Sequence, residues 1–574
     1  MLEHGRGTQV PPSLRRSPWL IPVAAIALSV SVAGASLRFG PGDPVAVATE
    51  SEDASSVQQR EISHLRDALD GIWAVGDRSV QKALDVNTVD EVPDSSWFED
   101  RIGARAMSVA EIATGPDGLG PAAGPWTVTA AKTEGITPGL QMKDSKGQLY
   151  FIKFDPPSNP ELGTGAEIIA TKLLYAAGYH VPENYIVVVG REDLRVAPGA
   201  TTHRPDGTKR SMTEGDLTSV LLKAARRADG RYRIVASKAL TGKPLGPFAY
   251  YGVRTDDPND TIPHEHRRTL RGLRVFAAWI NHVDVKSENS LDTLVRDDTG
   301  RSVVRHHLID FNATLGSAGI GPADRRSGHE YILDRRPILL SLFTFGLYVR
   351  PWLTITYPDI PSVGRFEGDR FESAKWKSTF PNRAMLNARP DDTFWAARRV
   401  MAFSDEAIRA VVAGADYSDA RAADAIAAAL VKRRDRIGRE WIASINPLVD
   451  FAIDDGSTLH PSAQACAPGT PVLTFRNAAV TAGLSTSAVG YRVQWFRFDN
   501  ARDTVATVGP VVTAERPGVP VPTELSNDAE VIAADVGAVH PEHPAWLRPV
   551  RVYFRRLQNG WKLLGLERLP QPST

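Results

Sequence analysis

The sequence predicts an α+β chain with an appended C-terminal all-β, sandwich-like domain. Three observations carry this. A β-β-β-α-β order runs from Trp126 to about Gly190, helical patterning dominates to about 450, and Val, Thr, Pro and Gly with period-two alternation take over after about 455. At 574 residues the chain is too long for one compact domain. Its 42% hydrophobic and 23% charged content is that of a globular protein. Lys+Arg and Asp+Glu balance at 67 each, so no basic excess argues for a nucleic-acid partner. Cys466 is the only cysteine, which excludes an internal disulfide and a Cys-x-x-Cys metal knuckle.

Arg15 and Arg16 precede WLIPVAAIALSVSVAGASL, residues 19–37, an uncharged run ending in small residues. Residues 1–38 therefore read as a signal peptide, or as an uncleaved N-terminal membrane anchor. The basic flank before the run and the acidic residues after it send the bulk of the chain out of the cytoplasm. That makes the protein exported (periplasmic or extracellular) or anchored to the inner membrane, with membrane contact through 19–37 if that run is retained. The reverse topology, an anchor with the bulk inside, is the alternative. Residues 39–58 read as a linker, and 59–125 as an extension with short helices around 59–84 and 107–113.

From Trp126 the elements follow in order. WTVTAAKT is a strand, EGITPG a turn, LQMK a strand, DSKG a turn and QLYFIKF a strand. In the last, Tyr150, Ile152 and Phe154 alternate with Phe151, Lys153 and Asp155, as on a sheet with one buried face. A helix follows over about 164–177 and stops at Gly178, and VPENYIVVVG is the next strand. Residues 190–230 read as an irregular surface insertion within a unit spanning 126–245. In the unit spanning 246–454, a helix over about 264–281 places Leu270, Leu273, Ala277 and Ile280 on one face. Two later helices open on Ser-Asp pairs, at Ser404 and Ser418. In the last unit, 455–574, YRVQWFRF alternates, and Asn559-Gly560 centres a hairpin. Its aromatics suit a sandwich core.

The chemistry concentrates after the 264–281 helix. The polar loop HVDVKSEN (282–289) is followed by a strand (SLDTLVR), the turn DDTG and a second strand (SVVRHHLI) that runs into Asp310-Phe311-Asn312. A hairpin here returns Asp310 to the loop, so Asp284, Asn289 and Asp310 converge. Such oxygens suit Mg²⁺-assisted phosphoryl transfer: Asn289 and Asp310 as metal ligands, Asp284 to orient or deprotonate a hydroxyl, and Lys286 to neutralise charge on the transferred group. His306 and His307 are adjacent on a strand and face opposite sides, so they are not a metal pair.

HVDVKSEN resembles the protein-kinase catalytic loop H-R-D-L-K-P-E-N, matching at His282, Asp284, Lys286, Glu288 and Asn289. Asp310-Phe311-Asn312 is similar to D-F-G, with Asn312 for the glycine. The resemblance covers about 126–450 and looks closest to divergent kinase-like proteins of the HipA and CotH type. It implies a two-lobed kinase-like fold, with an N-lobe over 126–245 and a helical C-lobe over 246–454. It further implies that Lys153 holds nucleotide phosphates with Glu167 as its ion-pair partner. Thr164-Gly-Ala-Glu167 also fits a capping box, which would give Glu167 another use. There is no G-x-G-x-x-G and no A-P-E. Gly135 and Gly139 are the only glycines offered by the turn that would cover the phosphates.

The function implied is that of an exported, atypical kinase-like phosphotransferase. It would use Mg²⁺ and ATP and pass the γ-phosphoryl group to a hydroxyl on a protein, sugar or lipid. Because ATP is scarce outside the cytoplasm, the alternative is a non-catalytic kinase-fold binding or scaffold protein of the cell envelope, its β-domain meeting an envelope partner.

Overall fold

A computed structural model of the chain describes residues 37–63, 81–131, 139–204, 206–454, 469–487 and 490–569. The expected signal or anchor over 1–38, Leu37 and Arg38 apart, lies outside these residues, as do most of the helix expected over 59–84 and all of Gly135. The protein is α+β. Among the described residues no helix is long and apolar enough to cross a membrane.

The first sheet holds β1 (Trp126–Ala131), β2 (Gly139–Lys143), β3 (Leu149–Phe154), β4 (Asn184–Val189), β5 (Leu194–His203), β6 (Lys209–Ser211) and β7 (Tyr232–Lys238), in the order β4-β7-β3-β2-β1-β5-β6. One face carries Trp126, Val128, Leu140, Tyr150, Ile152 and Phe154 into an apolar cluster. Leu217 and Leu221 of a helix over Glu214–Leu221 close that cluster. The segment 190–230 is therefore not an irregular insertion. It extends the sheet, with β5 parallel to β1, and supplies the helix that covers the sheet.

β7 was not expected. Six of its seven residues are buried, so its outward positions give no polar signal and the period of two is lost.

Helices α1 (Val109–Thr114), α2 (Leu162–Ala177), α3 (Glu214–Leu221), α4 (Arg268–Ile280) and α5 (Arg335–Phe343) come first along the described chain. Beyond them, helices over Pro390–Met401, Asp405–Ala413 and Ala420–Ile437 pack around α4 and α2. The Asp405 helix is capped by the Ser404 hydroxyl, and the Ala420 helix by the Asp419 carboxylate. α4 buries nearly its whole circumference, including Leu270, Leu273, Ala277 and Ile280, because helices surround it. The turn at His264–His266 before it is 3₁₀, so the expected start of the helix moves to Arg268.

A second sheet, β10-β9-β8, combines β8 (Lys243–Gly246) with the expected hairpin of β9 (Ser290–Arg296) and β10 (Ser302–Leu308). The hairpin register runs unbroken from Ser302 opposite Arg296 to Leu308 opposite Ser290.

Two further sheets close the chain. The smaller is β11 (Leu448–Asp454), β12 (Val472–Asn477) and β15 (Val519–Pro520). The larger, in the order β14-β13-β16-β17-β18, adds β13 (Gly490–Asp499), β14 (Thr504–Ala514), β16 (Val531–Val539), β17 (Val550–Leu557) and β18 (Gly560–Arg568). Tyr491, Val493 and Trp495 join the main core, while Phe496 and Phe498 bury on the other face. This part is not all-β, since short helices occupy Ala478–Thr481 and Thr523–Asp528, and its first strand begins at Leu448 rather than 455. The hairpin turn is Gln558-Asn559, with Gly560 (φ 110°) opposite Leu557.

The segment read as a linker is packed instead. Phe39 is buried against Phe498 and Tyr553, and Ala54 and Val57 are buried beside Leu245 and Val304. The following segment is stitched on by the Trp97 ring stacked on His306 at 3.6 Å and by Arg268 to Asp90 at 3.0 Å.

Candidate functional site

Lys153 lies on β3, on the face opposite the Tyr150 cluster, and α2 covers it. Its Nζ stands 2.7 Å from Oε2 of Glu167 and 2.7 Å from Oδ1 of Asp310. Three segments far apart in sequence thus meet on one ammonium. Glu167 is buried, and Asp310 is about one-third exposed. Burial by itself would lower the Lys153 pKa, but the charges of Asp310 and Glu167 outweigh it and hold the ammonium above its ordinary range. Gly139 opens β2 directly opposite Lys153 in the β2–β3 register.

Glu167 is free for this pair because the capping box does not form. α2 starts at Leu162, two residues earlier than expected, after Glu161 in a left-handed conformation (φ 67°). The cap is Asp155, two residues beyond Lys153 on the same face of the strand. Its carboxylate accepts the N–H groups of Glu161 (3.0 Å), Gly163 (2.8 Å) and Thr164 (2.9 Å), and the Thr164 hydroxyl. One strand therefore supplies both the lysine and the group that sets the start of the helix bearing its partner. The alternation in QLYFIKFD already placed Asp155 beside Lys153, and that was the signal for it. Burial raises the Asp155 pKa above the usual carboxylate range, against the pull of these donors.

The loop 282–289 leaves α4 through Asn281, a left-handed C-cap (φ 52°) whose Oδ1 accepts Trp376 Nε1–H at 2.9 Å. His282 is buried, and its N–H donates to Ala277 O at 2.8 Å. Its ring meets Phe311 edge to face at 5.6 Å. Burial pushes its pKa down to about 4, despite the opposing charges of Asp284 and Asp310. It is therefore a neutral packing group at pH 7. A 3₁₀ turn over Ser287–Asn289 ends the loop.

Asn289 Nδ2 donates to the Asp284 carbonyl (2.7 Å) and to Asp284 Oδ2 (3.0 Å). That fixes the Asp284 side chain and turns the amide oxygen of Asn289 away from it. Lys286 Nζ lies 3.3 Å from Asp284 Oδ2 and 3.2 Å from Glu288 Oε2, all about one-third exposed. Burial lowers the Lys286 pKa, but the two carboxylates outweigh it and the net shift is upward.

The two clusters are joined by backbone. Ile309 N–H donates to Asn289 O at 3.0 Å, which places Asp310 beside the end of the loop. In the Asp310-Phe311-Asn312 turn the left-handed residue is Asp310 (φ 61°), not Asn312. Phe311 is fully buried, and its carbonyl accepts the Thr314 hydroxyl at 2.7 Å. Asp310 is thus held between a buried ring and the Lys153 ammonium.

The arrangement offers one buried cation with two acidic partners, a positioned carboxylate at Asp284, and two oxygen donors at Asn289 and Asp310. Side-chain oxygens of this kind suit a hard divalent cation such as Mg²⁺. Lys286 and Glu288 sit at the edge of the Asp284 cluster, each about one-third exposed. Of the sequence-predicted residues, Lys153, Glu167 and Asp310 form one cluster and Asp284, Lys286 and Asn289 the other. No family model, no curated protein and no solved structure matches this chain.

Proposed function

We propose that the chain is a kinase-like phosphotransferase of two-lobed architecture, moving the ATP γ-phosphoryl group to a hydroxyl acceptor with Mg²⁺. The observation that carries this is Lys153, held at 2.7 Å from both Glu167 and Asp310 beside the Asp284–Asn289 pair. An ion pair between a strand lysine and a helix glutamate, with metal-holding Asp and Asn groups nearby, is what positioning a nucleotide for phosphoryl transfer requires.

Asn289 and Asp310 would hold the ion, which neutralises charge on the phosphates. Lys153 binds phosphate oxygens, and Glu167 keeps its ammonium aimed. Asp284, fixed by Asn289, accepts the proton of the attacking hydroxyl, for which such a base contributes about 10²–10⁴-fold. Lys286 adds positive charge at the open edge. The β-rich C-terminal part is read as a sandwich-like appendage, and residues 19–37 as the export or anchoring segment.

The test is thermal melting of the full chain with Mg²⁺–ATP. Ligand that binds the native state raises the melting temperature. The shift should disappear in Asp310→Ala. An absent shift in the wild-type chain, or an equal one in the variant, refutes the reading. Binding without turnover on any hydroxyl acceptor would favour a non-catalytic binding protein.

A further inference from the structure

Most of the strongly exposed large apolar side chains in the described residues fall in one segment, 332–353. Leu342 is 68% exposed, Phe343 75%, Phe345 95%, Leu347 83% and Val349 66%. They sit on α5 and the turn after it, and Ile338 and Leu339 extend the same surface. Uncovered apolar surface on this scale marks an interaction face.

The charge of the segment indicates what covers it. From Arg335 to Pro358 there are three arginines and no acidic residue. Arg335 and Arg336 are exposed at the start of α5. Asp334 is buried against Lys377, and Glu330 engages the run's own Arg350 at 3.1 Å and Trp352 at 2.8 Å, so the exposed cations of the run are Arg335 and Arg336; the first acid after it, Asp359, is exposed. Tyr348 and Trp352 are half-buried at its edge, the placement of aromatic residues at a headgroup layer. Exposed Leu and Phe beside arginines, with no acid among them, fit a bilayer interface carrying negative lipids.

The run leads into a cleft of about 600 Å³ whose charged lining is Arg325, Arg365 and one acid, Asp359. The sequence independently carries the apolar stretch 19–37, suited to a bilayer. A second copy meeting this face through the same segment would set arginine against arginine, since the segment's one acid, Asp334, is buried against Lys377.

We propose that residues 332–353 are a membrane-docking element that seats on an anionic lipid surface. The inference does not depend on the kinase-like reading.

The test uses the full chain with Cys466→Ser and Leu342→Cys, labelled with an environment-sensitive nitrobenzoxadiazole. Vesicles of phosphatidylcholine, with and without phosphatidylglycerol, are added. The label should brighten and shift to the blue with the anionic vesicles and respond weakly to the neutral ones. Reversing Arg335 and Arg336 to Glu should raise the lipid concentration needed by about thirtyfold or more. The same label at Leu222→Cys, 77% exposed at the end of α3 and outside the proposed element, should not respond. No response at position 342, or an equal response at 222, overturns the proposal. So does a blue shift without vesicles: one that grows with protein concentration assigns the face to a second copy, and one that does not assigns it to the chain's own residues.

Discussion

Replacing Lys153 by Met tests the buried ion pair directly. The side chain keeps its length but loses its charge, so Glu167, 1% exposed, keeps a carboxylate with no cation against it. Removing one partner of a buried pair costs ~3–5 kcal/mol, because the remaining charge is stranded. The Asp310 arm adds little, since that side chain is 34% exposed and water screens it.

Removing both charges, as in Lys153→Met with Glu167→Leu, should recover about 2 kcal/mol or more of the loss, since neither group is then buried alone. Equilibrium urea unfolding of the full chain at pH 7, followed by tryptophan fluorescence, compares both variants with wild type. A Lys153→Met chain within ~0.5 kcal/mol of wild type, or a double variant no better than the single one, would refute the buried-pair argument.

Three other outcomes are expected. Asp155→Ala removes the cap of α2 and should cost ~1–2 kcal/mol; it should also weaken Mg²⁺–ATP binding, because the helix that aims Glu167 loses its fixed start, and a melting titration reads both. Asp284→Asn should leave the nucleotide-induced melting shift intact while lowering phosphoryl transfer by about 10²-fold or more, as measured with labelled ATP once an acceptor is in hand. Burial pushes His180 and His307 down to about 3 and His329 to about 4. With folded values below the unfolded one of about 6.5, these groups stabilise the fold above that pH and lose their contribution as pH falls towards their folded values. Stability should thus decline from pH 6.5 to 4, by up to ~1.4 kcal/mol per pH unit for each such histidine. His307→Gln should flatten the slope in a pH series of urea midpoints, and an unchanged slope would count against the buried neutral histidine.

Much of this architecture was legible locally. The alternation in QLYFIKF gave β3 and its buried face, Gly178 gave the end of α2, the Ser-Asp pairs gave helix starts, and the DDTG turn between two alternating runs gave the β9–β10 hairpin. These are short-range signals, set by backbone conformation and a one-sided environment. β7 escaped because a central strand buried on both faces has no alternation to read. The segment 190–230 escaped because its strands pair at the edge of the sheet and keep polar, turn-rich residues. The packing of 39–58 escaped because a few apolar anchors among small polar residues spell a linker until their partners are known.

For the candidate site, the sequence by itself determined which side chains carry chemistry and in what order they come: Lys153 on a strand, Glu167 on the next helix, Asp284 and Asn289 in a polar loop, Asp310 past a hairpin. Tertiary structure decided which of them touch. Glu167 had two local uses, and only the Asp155 cap and the earlier start of α2 released it to Lys153. The left-handed backbone of Asp310 itself likewise appears only in the folded turn. The physical reason is range. Turns, caps and strand faces are settled by a few neighbours, whereas a buried ammonium between residues 14 and 157 positions away is settled only when a sheet, a helix and a hairpin close on it together.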